Sequence, residues 1–198
     1  MTDLFTDLPA EDTERLRARL AAAGAERGLL DVAYRTLDSP LGTLLLAATP
    51  AGLVTIAYPV QDHDAVLTAL AARISPRVVR AALRLDGTAR QLDEYFTGHR
   101  HTFDLPIDLQ LAHGFRRTVL EHLRGVGYGT TTSYAGLAAR AGSPGAVRAV
   151  GTACATNPLP IVLPCHRVIR SDGSIGRYVG GDAAKTTLLA LETSQETR

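Results

Sequence analysis

The segment at residues 157–169, which reads NPLPIVLPCHRVI, restricts the possible fold of this chain more than any other. Its three prolines each fix φ and remove a backbone donor, so the segment cannot form a helix interior or a central strand. The apolar residues Ile161, Val162 and Leu163 should nevertheless draw it into the core. We therefore predict a buried, rigid, extended loop that holds Cys165 in one place, as a nucleophile requires.

The cysteine content and the N-terminal residues bear on the cellular compartment. Only Cys154 and Cys165 are present, so no disulfide framework is possible and a reducing compartment is expected. The N-terminus shows no signal-peptide pattern, and no apolar run approaches the roughly 20 residues that span a bilayer. We expect a cytoplasmic protein of ordinary globular composition, with no membrane association.

The net charge of +1 hides an uneven distribution along the chain. From residue 113 onward, ten Arg and Lys residues stand against five Asp and Glu residues, whereas residues 1–112 carry eleven against fifteen. The C-terminal part is therefore basic enough to approach a phosphate backbone. A split of this size also arises by chance, so charge alone does not decide the function.

The N-terminal part is predicted to combine a small sheet with helices. Three strand-like runs are separated by short turns that contain Pro and Gly, which predicts an antiparallel meander. A helix is predicted before them at residues 11–27, Asp62 should cap another, and Asp86 or Thr88 should open a third. The strand-like runs lie at residues 31–37, 42–49 and 52–58.

The C-terminal part is predicted to be mostly helical. A helix over residues 113–124 is followed by a Gly-rich loop, and Ser133 should cap a short helix that ends at Gly142. Ser143 and Pro144 should start the next helix, as a cap and a first helical residue. Two helices joined by a tight turn containing Gly are typical of a helix-turn-helix.

The residues after the proline-rich segment predict a hairpin and a last helix. Asp172 and Gly173 form a hairpin turn signal, and Asp182 should cap the final helix. The change in pattern near residue 110 indicates two domains. The expected division is an N-terminal helical extension at residues 1–30, an α+β domain at 31–110 and a mostly helical domain at 111–198.

The second helix of the predicted helix-turn-helix has small side chains at Ala146, Ala149 and Gly151, with Arg148 as its one long basic residue. Small residues let a helix lie close against a flat partner, and a single arginine can then probe or wedge into that partner. The same small residues would also allow close packing inside the protein. Both interpretations stay open on this pattern alone.

Cys165 is followed by His166, and a nearby histidine is one of the features that lower the pKa of a thiol in nucleophilic sites. Neighbours on an extended segment point to opposite sides, so a direct bond is not required and a water could bridge the two groups. A buried cysteine is most often inert packing. Cys154, among small residues on a helix, fits that role.

These motifs make the chain similar to the O6-alkylguanine-DNA alkyltransferase family, the methylated-DNA–protein-cysteine methyltransferases. The resemblance is dense from residue 115 to residue 192 and looser from residue 34 to residue 109. It implies an α+β fold with a ribonuclease H-like N-terminal antiparallel sheet and helices, then a mostly helical domain with a winged-helix-like helix-turn-helix. The motifs are NPLPIVLPCHRVI, SY at 133–134, AVRAVG at 146–151 and GRYVGG at 176–181.

The resemblance also implies an activity, direct-reversal DNA repair. The alkyl group of O6-alkylguanine, with O4-alkylthymine as a further candidate substrate, would move irreversibly to Cys165 after base flipping. The product is a thioether that water cannot cleave, so each molecule would react once. The implied partner is double-stranded DNA with alkylated bases, and the implied protein is a monomer without cofactor or metal.

The family match assigns roles to five residues. By this resemblance, Cys165 accepts the alkyl group, and His166 with Glu192 forms the relay that removes its proton through a water. Tyr134 donates to the guanine ring as negative charge develops on the leaving base. Asn157 braces the turn before the active-site loop.

The resemblance also implies a DNA-contacting surface and a base pocket. The arginine of the recognition helix would occupy the gap left by the flipped nucleotide. The DNA contacts implied are Ser133, Tyr134, Ala146, Arg148, Ala149, Gly151 and Arg167. The implied pocket consists of Cys165, Val168, Gly176, Tyr178, Val179 and Gly180.

The sequence departs from the family pattern at several points. It contains no tryptophan, and Gly127 stands where many relatives have a proline, which could loosen the loop before Tyr134. Val179 fills a pocket position that is often smaller, which bears on the tolerated alkyl size. The N-terminal part has no cysteine, so no zinc site is expected there. Its histidines His63, His99 and His101 are interpreted as solvated loop residues.

Three other functions are compatible with parts of this sequence. A lesion-binding relative without transfer activity would lack the acceptor cysteine, which is present here. A helix-turn-helix transcription factor would need a dimer interface or an effector domain, and a cysteine hydrolase would turn over small acyl substrates. None of the three accounts for Tyr134, Arg148, Cys165 and Glu192 together.

Overall fold

The computed structural model describes residues 30–193 and, before them, only residues 15, 16, 19, 23 and 24. Most of the helix predicted at residues 11–27 lies outside the described residues, although the few residues described there are helical.

The N-terminal sheet is built on the predicted antiparallel meander. Strands β1 (Val32–Leu37), β2 (Leu44–Thr49) and β3 (Gly52–Ala57) pair in sequence order, so this prediction is confirmed. A fourth strand, β4 (Val78–Arg80), pairs with β1 in parallel and makes the sheet mixed, in the order β3-β2-β1-β4. Its three residues are too few to give a periodic signal in the sequence.

Two helices accompany this sheet. Helix α1 (His63–Arg73) begins as predicted at Asp62, whose side chain accepts hydrogen bonds from the first backbone N–H groups of the helix. Helix α2 (Asp86–Phe96) follows a 3₁₀ turn and buries Leu92 and Tyr95. Its buried face is directed toward the C-terminal part of the molecule, where Tyr95 contacts the site described below.

The C-terminal part contains four helices and a short two-stranded sheet in the described residues. Ser133 caps its helix as predicted, because its hydroxyl accepts from the N–H of Gly136. Strands β5 (Thr132–Ser133) and β6 (Val168–Ile169) pair in parallel, and Ile169 bridges to Ile175 across the predicted hairpin turn. The helices are α3 (Gly114–Leu123), α4 (Tyr134–Arg140), α5 (Val147–Ala155) and α6 (Gly181–Thr193).

Two predicted helix starts were wrong. Helix α5 begins at Val147, because Ser143 and Pro144 lie in a turn closed by a hydrogen bond from Ala146 N–H to the carbonyl of Ser143. Helix α6 begins at Gly181, so Asp182 lies inside its first turn, where its charge favours the helix dipole, and does not cap it.

A continuous hydrophobic cluster joins the two parts of the chain. It runs from β2 and β3 through α2 to α3, α4, α5 and α6. The β3 edge also donates directly to the proline-rich segment, from the N–H of Ile56 to the carbonyl of Pro158, at 2.8 Å. The N-terminal sheet therefore supports the segment that carries Cys165. In the part of the chain that the structure describes, no helix is long and apolar enough to cross a membrane.

Candidate active site

The proline-rich segment at residues 157–169 is buried, as predicted, but it is coiled and not extended. Ile161 adopts a positive φ of 72°, and the N–H of Leu163 donates to the carbonyl of Leu159. Residues Cys165–Arg167 then form a 3₁₀ turn. The prolines prevent a regular ladder, and local backbone bonds close a series of turns instead.

Asn157 holds these turns together from the inside. Its amide oxygen accepts from the N–H of Leu159 at 3.0 Å, and its amide nitrogen donates to the carbonyl of Leu163 at 2.8 Å. The same amide nitrogen lies 3.1 Å from the sulfur of Cys165. Asn157 is 2 % exposed, so one buried side chain fixes both the loop and the position of the thiol.

Cys165 is buried, with 1 % of its surface exposed. Burial raises the pKa of its thiol to about 11, although the hydrogen bond from Asn157 and the charge of Lys185 act in the opposite direction. The thiol is therefore protonated at neutral pH and needs a base to become a nucleophile.

His166 has the geometry of such a base. Its Nε2 lies 2.8 Å from Oε1 of Glu192, and its Nδ1 is buried with no hydrogen-bond partner among the described residues. Burial lowers the pKa of His166, against the opposing effect of Glu192, so the imidazole is neutral at rest. With the proton on Nε2 facing the carboxylate, Nδ1 carries the free lone pair.

Glu192 is the centre of a buried network. Burial alone would raise its pKa, but hydrogen bonds from His166 and Arg167 outweigh that effect and lower the pKa to about 2. Its Oε1 also accepts from the hydroxyl of Tyr95 at 2.6 Å, and its Oε2 lies 3.3 Å from the N–H of Gly129. The carboxylate is therefore ionised and held by four partners.

Arg167 is not available for the DNA contact that the sequence implied. It is 5 % exposed, and its Nε and Nη2 pair with Glu192 at 2.9 and 2.8 Å. Its Nη1 donates to the carbonyl of Val126. A buried guanidinium with these partners cannot reach a phosphate, so we correct that assignment to a structural ion pair with Glu192.

Lys185, the only lysine of the chain, is a site residue that sequence reasoning missed. It is fully buried, and its ammonium donates to the carbonyl of Val168 at 2.6 Å and to that of Gly176 at 3.3 Å. It also lies 5.9 Å from the ring centroid of Tyr134. A lone lysine among twenty arginines was the signal that could have drawn attention to it.

Tyr134 is half-buried at the start of α4 and faces the same space. Burial raises its pKa to about 12, so its hydroxyl remains a hydrogen-bond donor at neutral pH. A Cβ on Gly176 would collide with this hydroxyl, which explains why a glycine stands there. The structure thus brings Tyr134, Gly176, Val168 and Cys165 into one region.

The remaining pocket positions tie the active-site loop to the N-terminal sheet. The hydroxyls of Tyr178 and Tyr58 lie 2.8 Å apart, and the Tyr178 ring packs edge-on against His166. Gly180 lies against the Tyr58 ring, where a side chain would clash. Val179 is half-buried and lines a cleft between the two parts of the chain.

Helix α5 presents two different faces. Arg148 and Ala149 are exposed, and Ala146 and Gly151 are half-buried beside them. Burial raises the pKa of Cys154 on the inner face, which fits the inert packing role that was expected. The residues buried against the helical core are Val150, Ala153 and Cys154.

The histidines of the N-terminal part were expected to be solvated. His99 and His101 are exposed, but His101 stacks on Tyr128 with ring centroids 4.1 Å apart. His63 is half-buried at the start of α1, and its Nε2 is shielded from solvent. Among the described residues, no group of three His, Cys, Asp or Glu side chains could hold a metal ion.

Two protein-family models match the chain. The ribonuclease-like domain of 6-O-methylguanine DNA methyltransferase matches residues 32–109, and the DNA-binding domain of the same protein matches residues 114–194. Together they cover most of the sequence.

Individual relatives agree with these models. The methylated-DNA–protein-cysteine methyltransferase of Mycolicibacterium paratuberculosis is 40% identical over 161 residues, 81% of this chain and 92% of the relative. The protein of that name from Mus musculus is 40% identical over 171 residues, 80% of each chain.

Solved structures give the same result. The crystal structure of Mycobacterium tuberculosis O6-methylguanine methyltransferase has a TM-score of 0.71 at 38% identity, covering 83% of this chain and 94% of that one. The M. tuberculosis OGT solved in complex with DNA has a TM-score of 0.71 at 37% identity, covering 82% and 94%.

Proposed function

This chain belongs to the 6-O-methylguanine DNA methyltransferase family, and from that membership we propose how its own residues carry out the reaction. The protein is a methylated-DNA–protein-cysteine S-methyltransferase that binds DNA and repairs it by direct reversal. In our proposal Cys165 is the acceptor. The observation that carries this assignment is the buried thiol held by Asn157 beside a histidine whose Nδ1 is free.

Deprotonation comes first in the proposed mechanism. The proton of Cys165 passes to Nδ1 of His166 through a water, and the Glu192 carboxylate stabilises the imidazolium through Nε2. Burial disfavours both charged forms when they are separate, so thiolate and imidazolium form together as a pair. The charge of Lys185 favours the thiolate further.

Displacement follows deprotonation. The sulfur attacks the alkyl carbon, a C–S bond forms, and the bond from that carbon to guanine O6 breaks. The electron pair of the broken bond stays with the guanine, and the Tyr134 hydroxyl donates a hydrogen bond to the ring as that charge develops. Guanine gains one proton and Cys165 loses one, so the products are guanine and a thioether. Water cannot hydrolyse the thioether, and the protein is consumed.

DNA contact is assigned to helix α5. Arg148 is exposed, and its guanidinium has no hydrogen-bond or ion-pair partner within the residues that the structure describes, so it is free to enter the base stack. The small residues beside it permit close approach of the helix backbone to the duplex. The alkyl carbon cannot reach a buried thiol from within the stack, so the damaged nucleotide must flip out.

The same proposal covers the cellular location of the protein, its oligomeric state and its division into domains. A free, buried acceptor thiol has to stay reduced until it reacts, which favours the cytoplasm. We propose a monomer, with domains at residues 31–110 and 111–198 after a helical extension at residues 1–30.

Mass spectrometry of the intact protein and of its peptides tests the proposal. After mixing with one equivalent of a duplex that contains one O6-methylguanine, we expect one added methyl group on the peptide with Cys165. The Cys165→Ser variant should gain none, and its melting temperature serves as the folding control. Binding of the duplex without any gain in mass would instead indicate a lesion-binding protein.

A further inference from the structure

Tyr95 is a buried side chain of the N-terminal domain that reaches the proposed relay, and the mechanism above does not use it. It extends from α2, is fully buried and donates from its hydroxyl to Oε1 of Glu192 at 2.6 Å. Burial, and then the adjacent Glu192 charge, raises the pKa of Tyr95 above its usual range, so the hydroxyl stays protonated. Oε1 is also the oxygen that faces Nε2 of His166, at 2.8 Å.

Resting on the proposed function, we propose that Tyr95 is a positioning residue through which the N-terminal domain controls how readily the Glu192–His166 pair accepts the Cys165 proton. Oε1 accepts from three donors, Tyr95, His166 and Nη2 of Arg167, and donors that share one acceptor oxygen each receive less of its electron density. The Tyr95 hydroxyl therefore weakens the attraction between Glu192 and a protonated His166. It favours the neutral imidazole, and with it the protonated thiol, in the resting protein.

The position of the carboxylate does not depend on Tyr95 alone. Arg167 holds both carboxylate oxygens, with Nε on Oε2 at 2.9 Å and Nη2 on Oε1 at 2.8 Å. The N–H of Gly129 approaches Oε2 as well, at 3.3 Å. Loss of the Tyr95 hydroxyl should therefore leave Glu192 in place and change mainly its strength as an acceptor.

Other titratable groups lie around the pair, and Tyr95→Phe leaves each of them in the chain. Tyr128 packs on Tyr95 and lies under the Arg167 guanidinium, and His101 stacks on the Tyr128 ring. The groups that face the pair or its neighbours are Tyr58, His101, Tyr128, Cys165, Arg167, Tyr178 and Lys185.

Tyr58 offers a matched control. It is also a buried tyrosine of the N-terminal domain, and its hydroxyl also bonds across to the C-terminal domain. Its partner is the hydroxyl of Tyr178, and it makes no hydrogen bond to Glu192. Tyr58→Phe and Tyr95→Phe therefore each remove one buried phenol hydroxyl, but only the second removes a donor from the relay carboxylate.

The experiment is a single-turnover measurement of methyl transfer from an O6-methylguanine duplex, across a range of pH, on the full-length protein and both variants. We expect the midpoint of the rate profile of Tyr95→Phe, where His166 loses its own proton and becomes able to accept that of Cys165, to lie about half a pH unit higher, a roughly threefold change in the proton equilibrium. Tyr58→Phe should keep the wild-type midpoint. A Tyr95→Phe midpoint that coincides with wild type, or one that Tyr58→Phe shares, would overturn the proposal.

A second replacement guards against a variant that does not fold. Incorporation of 3-fluorotyrosine at position 95 keeps the shape and the hydroxyl but makes it a stronger donor, so the midpoint should move to lower pH. An unmoved midpoint there also counts against the proposal. Absence of transfer in the wild-type protein would instead refute the proposed function, so the two failures are distinguishable.

Discussion

Lys185→Met is the substitution with the most informative consequences, because it removes one buried charge and keeps the length of the side chain. The carbonyls of Val168 and Gly176 lose their donor, and a buried acceptor left unsatisfied costs about 1–3 kcal/mol. Removal of a desolvated ammonium offsets part of that cost, so we expect a net loss of roughly 2–3 kcal/mol. For a chain of this size the melting temperature should fall by about 5–10 °C.

The same substitution should slow the reaction. The Lys185 charge lowers the pKa of Cys165, so its removal makes the thiolate rarer at neutral pH. An increase of one pKa unit corresponds to about a tenfold loss of thiolate, and we expect the single-turnover rate at neutral pH to fall by about that factor. At higher pH the rate should recover toward the wild-type value.

The assay is methyl transfer from an O6-methylguanine duplex at several pH values, beside thermal unfolding. Thr186→Met is the matched control, since Thr186 is exposed on the same helix and bonds only to its own helix backbone. A stability loss with an unchanged pH–rate profile would refute the electrostatic reasoning. Wild-type stability would refute the importance of the two hydrogen bonds.

Four further outcomes are expected. Methylation of Cys165 should lower the melting temperature by several degrees, because the added methyl enters a buried position and disturbs the bond from Asn157; an unchanged melting temperature after reaction would contradict this. Glu192 has a folded-state pKa of about 2 against an ordinary 4.5, so the free energy of unfolding that it contributes is complete above about pH 4.5 and lost as the pH falls toward 2. Acid unfolding of Glu192→Gln should lack this loss of stability between pH 4.5 and 2. Gly176→Ala should displace the Tyr134 hydroxyl and slow transfer in single-turnover assays, with no effect expected if the loop shifts freely. Arg148→Ala should slow transfer from duplex DNA but not from free O6-methylguanine base, and equal slowing of both would place its role elsewhere.

Local signals were sufficient for much of the fold. The β1–β3 meander was predictable because apolar runs and turn residues alternate within a few positions of each other. Asp62 and Ser133 acted as caps because that interaction spans only two or three residues. The same kind of signal gave a wrong helix start at Ser143. The carbonyl of Ser143 accepts the hydrogen bond that closes a tight turn, and the helix begins only after that turn.

Long-range partners could not be read from the sequence. Arg167 looked free for DNA contact because its carboxylate partner lies 25 positions away, and Tyr95 is separated from Glu192 by 97 positions. Lys185 belongs to no recognisable sequence motif. In each case the function of the side chain depends on a contact that exists only in the packed core. The PCHRV motif, in contrast, can be recognised from adjacent residues of the sequence alone.

The burial of Cys165 also determines how long an unused molecule stays useful. A protein that reacts once is a reagent with a finite supply, and each thiol lost to a soluble electrophile or oxidant is a repair event lost. Exposure of 1 % limits how often such small reactants meet the sulfur, and a protonated thiol reacts with them slowly. A flipped nucleotide delivered into the pocket brings its alkyl carbon to the sulfur directly. Burial and protonation of the thiol thus preserve the stored protein between encounters with damage.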